Sequence, residues 1–69
     1  MSVYKVIELI GTSEQSWEDA AVSAITLARQ SLRDIRVAEV MEQDIDLADG
    51  DKVTYRTKLR VSFKYEGGQ

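Results

Sequence analysis

The segment from Lys52 to Glu66 constrains the fold most, because polar and apolar residues alternate along its length. The residues at its odd positions are apolar or threonine: Val53, Tyr55, Thr57, Leu59, Val61, Phe63 and Tyr65. The residues between them are polar and mostly charged. A period of two is typical of a β-strand with one buried face. The pattern therefore predicts a long strand whose odd-numbered side chains belong to the core.

The first half of the chain predicts a strand followed by a helix. Residues 3–10 are rich in β-branched and aromatic residues, which favour a strand, and the Gly-Thr-Ser segment at 11–13 is expected to end it. Ser16 has the position of an N-cap. From Trp17 onward the apolar residues have helical spacing, and we expect the helix to end near residues 33–34.

The second half predicts a hairpin. Residues 35–47 form its first strand, and Asp49-Gly50 is typical of a two-residue turn before the alternating strand. The fold class is therefore α+β, with the order β-α-β-β and a three-stranded antiparallel sheet. We expect a single domain over residues 1–69, with an ordered core at 3–66 and a flexible tail at 67–69.

The size of the chain predicts an assembly. A chain of 69 residues has a marginal core, and small folds add disulfides, metals or partner subunits. The sequence contains no cysteine and no histidine, which excludes disulfides and the commonest metal ligand. Strands of this length, about 45 Å at roughly 3.4 Å per residue, would also leave large edges in a monomer. We therefore expect a homo-oligomer.

Composition argues against several classes of function. The net charge of -3 is not that of a nucleic-acid-binding protein. No apolar run approaches the roughly 20 residues that span a bilayer, and the N-terminus has no signal-peptide pattern, so we expect no membrane partner and a cytoplasmic location. No nucleophile with a nearby base is apparent, and we expect no enzymatic activity.

Charges in the hairpin are sorted by strand, acidic on the first and basic on the second. A two-residue turn would place Gln43 opposite Arg56, Met41 opposite Lys58 and Glu39 opposite Arg60. These residues could simply form cross-strand pairs. Alternatively, their face could line an oligomer interior and bind an anion or a metal ion. Carboxylates also alternate along the first strand, and such oxygen ligands suit Ca²⁺ or Mg²⁺, although a solvated acidic strand is equally compatible with them: Glu42, Asp44, Asp46 and Asp49.

The whole of residues 3–66 resembles the dodecin family. The resemblance rests on VYKVIELIGTS, on SWEDA before an alanine-rich helix, on RVAEV, on the Asp-Gly turn and on YRTKLRVSFKYE. It implies a sheet wrapped around one helix and a hollow homododecamer. It also implies a small-ligand store rather than an enzyme, and many dodecins bind FMN or riboflavin in stacked pairs between subunits.

The resemblance also indicates candidate site residues. Val37 stands where the family has its flavin-stacking tryptophan, Arg56 aligns with a flavin-contacting glutamine, and Asp44 aligns with an arginine that contacts phosphate in some members. Together with Gln43 these are the candidate ligand-binding residues. The RVAEV and EQD stretches resemble a branch of the family that includes a calcium-binding member. The acidic residues of this strand are compatible with such a role, although no motif assigns the ligands one by one, and the candidate metal ligands are Glu39, Glu42 and Asp46.

Three hypotheses about function follow from these observations. The first is a dodecameric store for a flavin-like small ligand. The second is a dodecameric cage that binds divalent cations, calcium foremost, without a flavin function. The third is a scaffold assembly whose ligand, if any, is unrelated.

Overall fold

The computed structural model describes residues 1–66 and contains three strands and one helix. They are β1 (Val3–Ser13), α1 (Trp17–Ala28), β2 (Ile35–Asp46) and β3 (Thr54–Tyr65). The strands form one antiparallel sheet, as predicted, and their order in the sheet is β1-β3-β2. The predicted flexible tail at 67–69 lies outside the described residues.

The central strand β3 carries the core, as its alternating pattern predicts. Thr57, Leu59 and Val61 are buried on the side of the sheet that α1 covers. The buried Thr57 hydroxyl is satisfied, because it donates a hydrogen bond of 2.8 Å to the Trp17 carbonyl oxygen. From the helix, Ala20 and Ala28 complete the buried set. Because alanine is small, the backbone of α1 can lie close to the sheet.

Strand β1 does not end at Gly11, and the expectation of a break there was wrong. Gly11 pairs with Thr57, and pairing continues to Ser13. A Cβ atom at Gly11 would overlap the backbone oxygen of Ala20 and lie 3.0 Å from the Ala24 Cβ. The glycine is therefore needed for the close approach of β1 to α1, not for a break in the strand.

Helix α1 begins as predicted but ends earlier. The Ser16 side chain accepts a hydrogen bond of 2.9 Å from the Asp19 backbone N–H, which confirms the N-cap. The helix ends at Ala28 rather than near residues 33–34, and tight turns follow at once. Asp34 then adopts a left-handed conformation with φ of 56°, which redirects the chain into β2. Its carbonyl accepts a hydrogen bond from the Lys64 N–H, so the connection is attached to β3.

The hairpin between β2 and β3 has a longer loop than predicted. Its last pair joins Asp46 to Thr54, so residues 47–53 form the loop instead of two residues. Within the loop the Lys52 N–H donates to the Asp49 carbonyl, and Gly50 has a positive φ of 59°. Asp49-Gly50 is thus a tight turn, but one that lies inside a wider loop.

An isolated subunit is elongated, and it exposes more surface to solvent than a compact chain of its size. It measures 49 × 20 × 16 Å, and its radius of gyration of 13.9 Å exceeds the roughly 11 Å of a compact chain of this length. It exposes 5156 Å², whereas a compact monomer of this mass exposes about 4,400 Å². Helix α1 lies against β1 and β3 and barely reaches β2. No helix within residues 1–66 is long and apolar enough to cross a membrane.

Candidate functional site

A β-bulge brings the acidic residues of β2 onto one face of the sheet. Glu39 lies opposite Arg60, as predicted, but the register shifts between Val40 and Glu42. Met41 has no partner in the ladder, and Glu42 lies opposite Lys58. In a regular strand, odd-numbered and even-numbered side chains point to opposite sides of the sheet, and an extra residue such as Met41 reverses this assignment for the residues that follow it. The shift therefore gives odd-numbered Glu39 and even-numbered Glu42 the same orientation.

The same shift corrects two of the predicted cross-strand pairs. Arg56 lies opposite Asp44 rather than Gln43, and Lys58 lies opposite Glu42 rather than Met41. The cations of β3 alternate with the buried residues Thr57, Leu59 and Val61, so they point away from α1. We call this side of the sheet the outer face. It carries charged residues from all three strands, among them Glu8, Glu39, Glu42, Asp44, Asp46, Arg56, Lys58 and Arg60.

Ion pairs cross the outer face through all three strands. Lys58 lies 3.9 Å from a Glu8 carboxylate oxygen on β1 and 3.8 Å from one of Glu42 on β2. Arg60 donates a hydrogen bond of 3.3 Å to Glu8. Glu8 was not singled out from the sequence, because its role depends on the register of β1 with β3.

The pair of Asp44 and Arg56 has the tightest geometry of these contacts. The Nε and Nη2 atoms of Arg56 donate to the two carboxylate oxygens of Asp44 at 2.7 and 2.8 Å. This hydrogen bonding lowers the pKa of Asp44 and raises that of Arg56, with a smaller coulombic contribution in the same direction for each. Both groups are consequently charged throughout the neutral pH range.

Trp17 attaches the start of α1 to this pair from the opposite side of the sheet. Its Nε1–H donates a hydrogen bond of 3.0 Å to the backbone oxygen of Asp44. Its ring meets that of Tyr55 edge-on, with centroids 5.1 Å apart. Asp44 is thus held by its backbone on one face and by its side chain on the other. Helical periodicity places Trp17 on the apolar side of α1 but gives no sign of this hydrogen bond.

The predicted ligand-binding residues do not all meet within one chain. Asp44 and Arg56 are in contact, whereas Gln43 pairs with buried Thr57 and therefore points to the side of α1. Val37 lies on the outer face opposite Ser62 and is 58% exposed. It is seven residues from Asp44 along β2, a distance of roughly 20 Å. One ligand could contact Val37 and Asp44 together only if they came from different subunits.

The predicted metal ligands share a face but not a site within one chain. Residues 1–66 contain no group of three acidic side chains close enough to hold a metal ion. Glu42 and Asp46 are four residues apart, roughly 13 Å along an extended strand. One Asp46 oxygen accepts a hydrogen bond of 2.9 Å from the Ala48 N–H, which fixes the orientation of its carboxylate.

A shallow cleft lies beside the Asp44–Arg56 pair. It has a volume of about 160 Å³ and is lined by Ile10, Glu42, Asp44, Arg56 and Lys58. Ile10 is half-exposed on β1 and forms the apolar part of the lining. Opposite charges therefore surround an apolar patch, which suits a small charged ligand.

The chain is similar to known proteins of one family. The dodecin family model matches residues 3–66. Calcium dodecin of Mycobacterium tuberculosis is 58% identical over 69 residues, covering 100% of this chain and 97% of that protein. Dodecin of Thermus thermophilus is 38% identical over 64 residues, covering 93% of each.

Solved structures agree with the sequence matches. The crystal structure of calcium dodecin from M. tuberculosis is described as that of a calcium-chelating immunodominant antigen with a novel calcium-binding site. It superposes with a TM-score of 0.88 at 57% identity, covering 99% of this chain and 97% of that one.

The order β-α-β-β, with one helix against a three-stranded antiparallel sheet, defines a class of small α+β proteins. The chain belongs to the dodecin family. Dodecins are small ligand-binding proteins that form dodecamers.

Proposed function

We propose that this chain is the subunit of a homododecameric protein that binds calcium through the acidic residues of its outer face. The observation that carries the proposal is the bulge at Met41, which aligns Glu39, Glu42 and Asp46 on one face. Carboxylate oxygens are the ligands that Ca²⁺ prefers. The similarity to calcium dodecin over the full chain supports the same ligand.

The calcium site requires more than one subunit. Calcium takes six to eight oxygen ligands at about 2.3–2.6 Å, and residues 1–66 contain no group of three acidic side chains close enough to supply them. Symmetry-related copies of one carboxylate can do so where subunits meet around an axis. Glu39 is the favoured contributor, because within residues 1–66 its carboxylate has no ion pair, whereas Glu42 is paired with Lys58 and Asp46 accepts a hydrogen bond from the Ala48 N–H. Glu42 shares Lys58 with Glu8 and must release it to bind metal.

The assembly that this site requires is also favoured by the surface of the subunit. Large apolar side chains remain exposed on every element and in the hairpin loop, among them Val6, Val22, Val40, Leu47 and Tyr65. Burial of such surface between copies would stabilise a subunit with so small a core. The proposed role is that of a binding or storage protein rather than an enzyme, in the cytoplasm, without nucleic acid or membrane partners.

Isothermal titration calorimetry of the size-fractionated particle tests the proposal. We expect Ca²⁺ to give a saturable isotherm, and Glu39→Gln and Glu42→Gln each to weaken it at least about fivefold through loss of a charged ligand. Asp51→Asn is the matched control, since it removes the same charge from the exposed hairpin loop and should leave the isotherm unchanged. An intact particle that binds no calcium would overturn the proposal.

Flavin is the second candidate, because an apolar patch lies on the outer face beyond the ion pairs. Val6 and Val37 both lie opposite Ser62, and Tyr4, opposite Lys64, is the next residue of β1 on the same face. An aliphatic side chain at Val37 offers no π-face to a flavin ring. Titration of the particle with riboflavin tests this candidate: saturable quenching of flavin fluorescence would support it, and unchanged fluorescence would exclude it.

A further inference from the structure

The guanidinium of Arg56 would suit an anion if it were free. It presents paired N–H donors in a planar fork, the geometry that recognises phosphate and carboxylate groups. Lys58 lines the same cleft, and the side chains of both residues are partly exposed. An apolar patch at Ile10 lies beside them. These are the components of a binding site for a small organic anion.

Asp44 already occupies that fork. Both of its carboxylate oxygens accept from Arg56, at 2.7 and 2.8 Å, so the Nε–Nη2 edge of the guanidinium is occupied. The Trp17 hydrogen bond to the Asp44 backbone fixes the position of the residue on the strand.

We propose that Asp44 determines the charge selectivity of the outer face: by occupying the Arg56 guanidinium, it excludes phosphate-bearing and other anionic ligands from the cleft beside Ile10. This inference rests on the proposed function, because it concerns the charge of the ligands that the same face binds. Asp44 acts here on specificity and need not contact calcium. Removal of its charge would leave the Arg56 guanidinium without a carboxylate partner in the cleft, while Lys58 would keep its ion pairs with Glu8 and Glu42.

The contribution of the Asp44–Arg56 pair to folding stability is too small to explain its tight geometry. The side chains of Asp44 and Arg56 are 48% and 41% exposed, and pairs so open to solvent contribute little to folding. Electrostatic complementarity at a surface instead acts mainly on which ligands are accepted, because a like charge at close range is strongly disfavoured. The geometry of the pair therefore favours a role in selectivity.

FMN and riboflavin are suitable probes, because they share a ring system and differ by one phosphate. Asp44→Asn keeps the size of the side chain and the backbone oxygen that Trp17 contacts, but removes the charge. We expect the wild-type particle to bind FMN no better than riboflavin. The Asp44→Asn particle should bind FMN at least about tenfold more tightly than riboflavin, and inorganic phosphate should compete.

Two further variants separate Asp44 from the general charge of the face. The double variant Asp44→Asn/Arg56→Gln removes the donors and should lose the gain. Glu8→Gln removes one negative charge from the same face but leaves the Arg56 fork occupied, so it should show no preference for FMN. Equal FMN gains in Glu8→Gln and Asp44→Asn, or no gain in Asp44→Asn, would overturn the proposal. Calcium calorimetry on the wild-type particle tests the proposed function separately.

Discussion

Asp44 connects the two sides of the sheet through different atoms. Its carboxylate pairs with Arg56 on the outer face, while its backbone oxygen accepts from Trp17 on the other side. The sequence predicts both Asp44 and Arg56 as site residues, but not that they meet. Their contact depends on one unpaired residue, Met41, which no local pattern in β2 indicates.

The lowered pKa of Asp44 predicts an acid-dependent contribution to stability. Because this pKa is lower in the folded state than the value of about 3.9 in the unfolded chain, the pair stabilises the fold above that pH. The contribution is lost as the pH falls through the folded-state pKa. Thermal melting of wild type and Asp44→Asn between pH 2 and pH 7 should show a difference that is constant near neutrality and disappears in acid. A difference that does not change with pH would contradict this account of the pair.

At the scale of the element, order and type are predictable from the sequence, but boundaries are not. Alternation and helical spacing identify three strands and one helix correctly. From its neighbours in the sequence, Gly11 is expected to end the strand. In the structure it lies within β1, where the close approach to α1 requires a residue without a side chain. Helix α1 ends at Ala28 in tight turns, and the chain is then attached to β3 through the hydrogen bond from the Lys64 N–H to the Asp34 carbonyl, a long-range contact that helical spacing does not indicate. The length of the hairpin loop likewise follows from the register of the whole sheet.

Gly11 in β1 and Gly50 in the hairpin loop should respond differently to substitution. Gly11→Ala places a methyl group against the Ala20 backbone, and we expect destabilisation of about 1–3 kcal/mol from overpacking. Gly50 has open space around it and needs only its positive φ, which asparagine tolerates. Gly50→Asn should therefore cost well under about 1 kcal/mol. Urea denaturation of both variants measures the costs, and equal costs would show that the contact of β1 with α1 is not tight.

At the scale of the whole molecule, the subunit is incomplete by itself. Its buried apolar residues are few, and large apolar side chains remain exposed on both sheet and helix. The sequence predicts this incompleteness, because so short a chain without cysteine or histidine has few other means of stabilisation. It does not reveal which subunits meet or how their outer faces combine. The sequence consequently supports the proposed calcium site only as a set of residues and not as a geometry.

Folding and assembly should be coupled. Twelve subunits of 7.8 kDa make a particle of about 94 kDa, and a subunit with so small a core should not remain folded after dissociation. We expect the melting temperature to fall as the protein is diluted, with loss of the particle in sedimentation and loss of secondary structure occurring together. A folded monomer at submicromolar concentration would contradict this expectation.

A crystal structure of the particle grown with calcium, with data collected for calcium anomalous scattering, tests the central proposal most directly. We predict an anomalous peak on the outer face, about 2.3–2.6 Å from carboxylate oxygens of Glu39, Glu42 or Asp46 that belong to more than one subunit. A particle that binds calcium in solution but shows its peaks away from β2, or shows none, would contradict it.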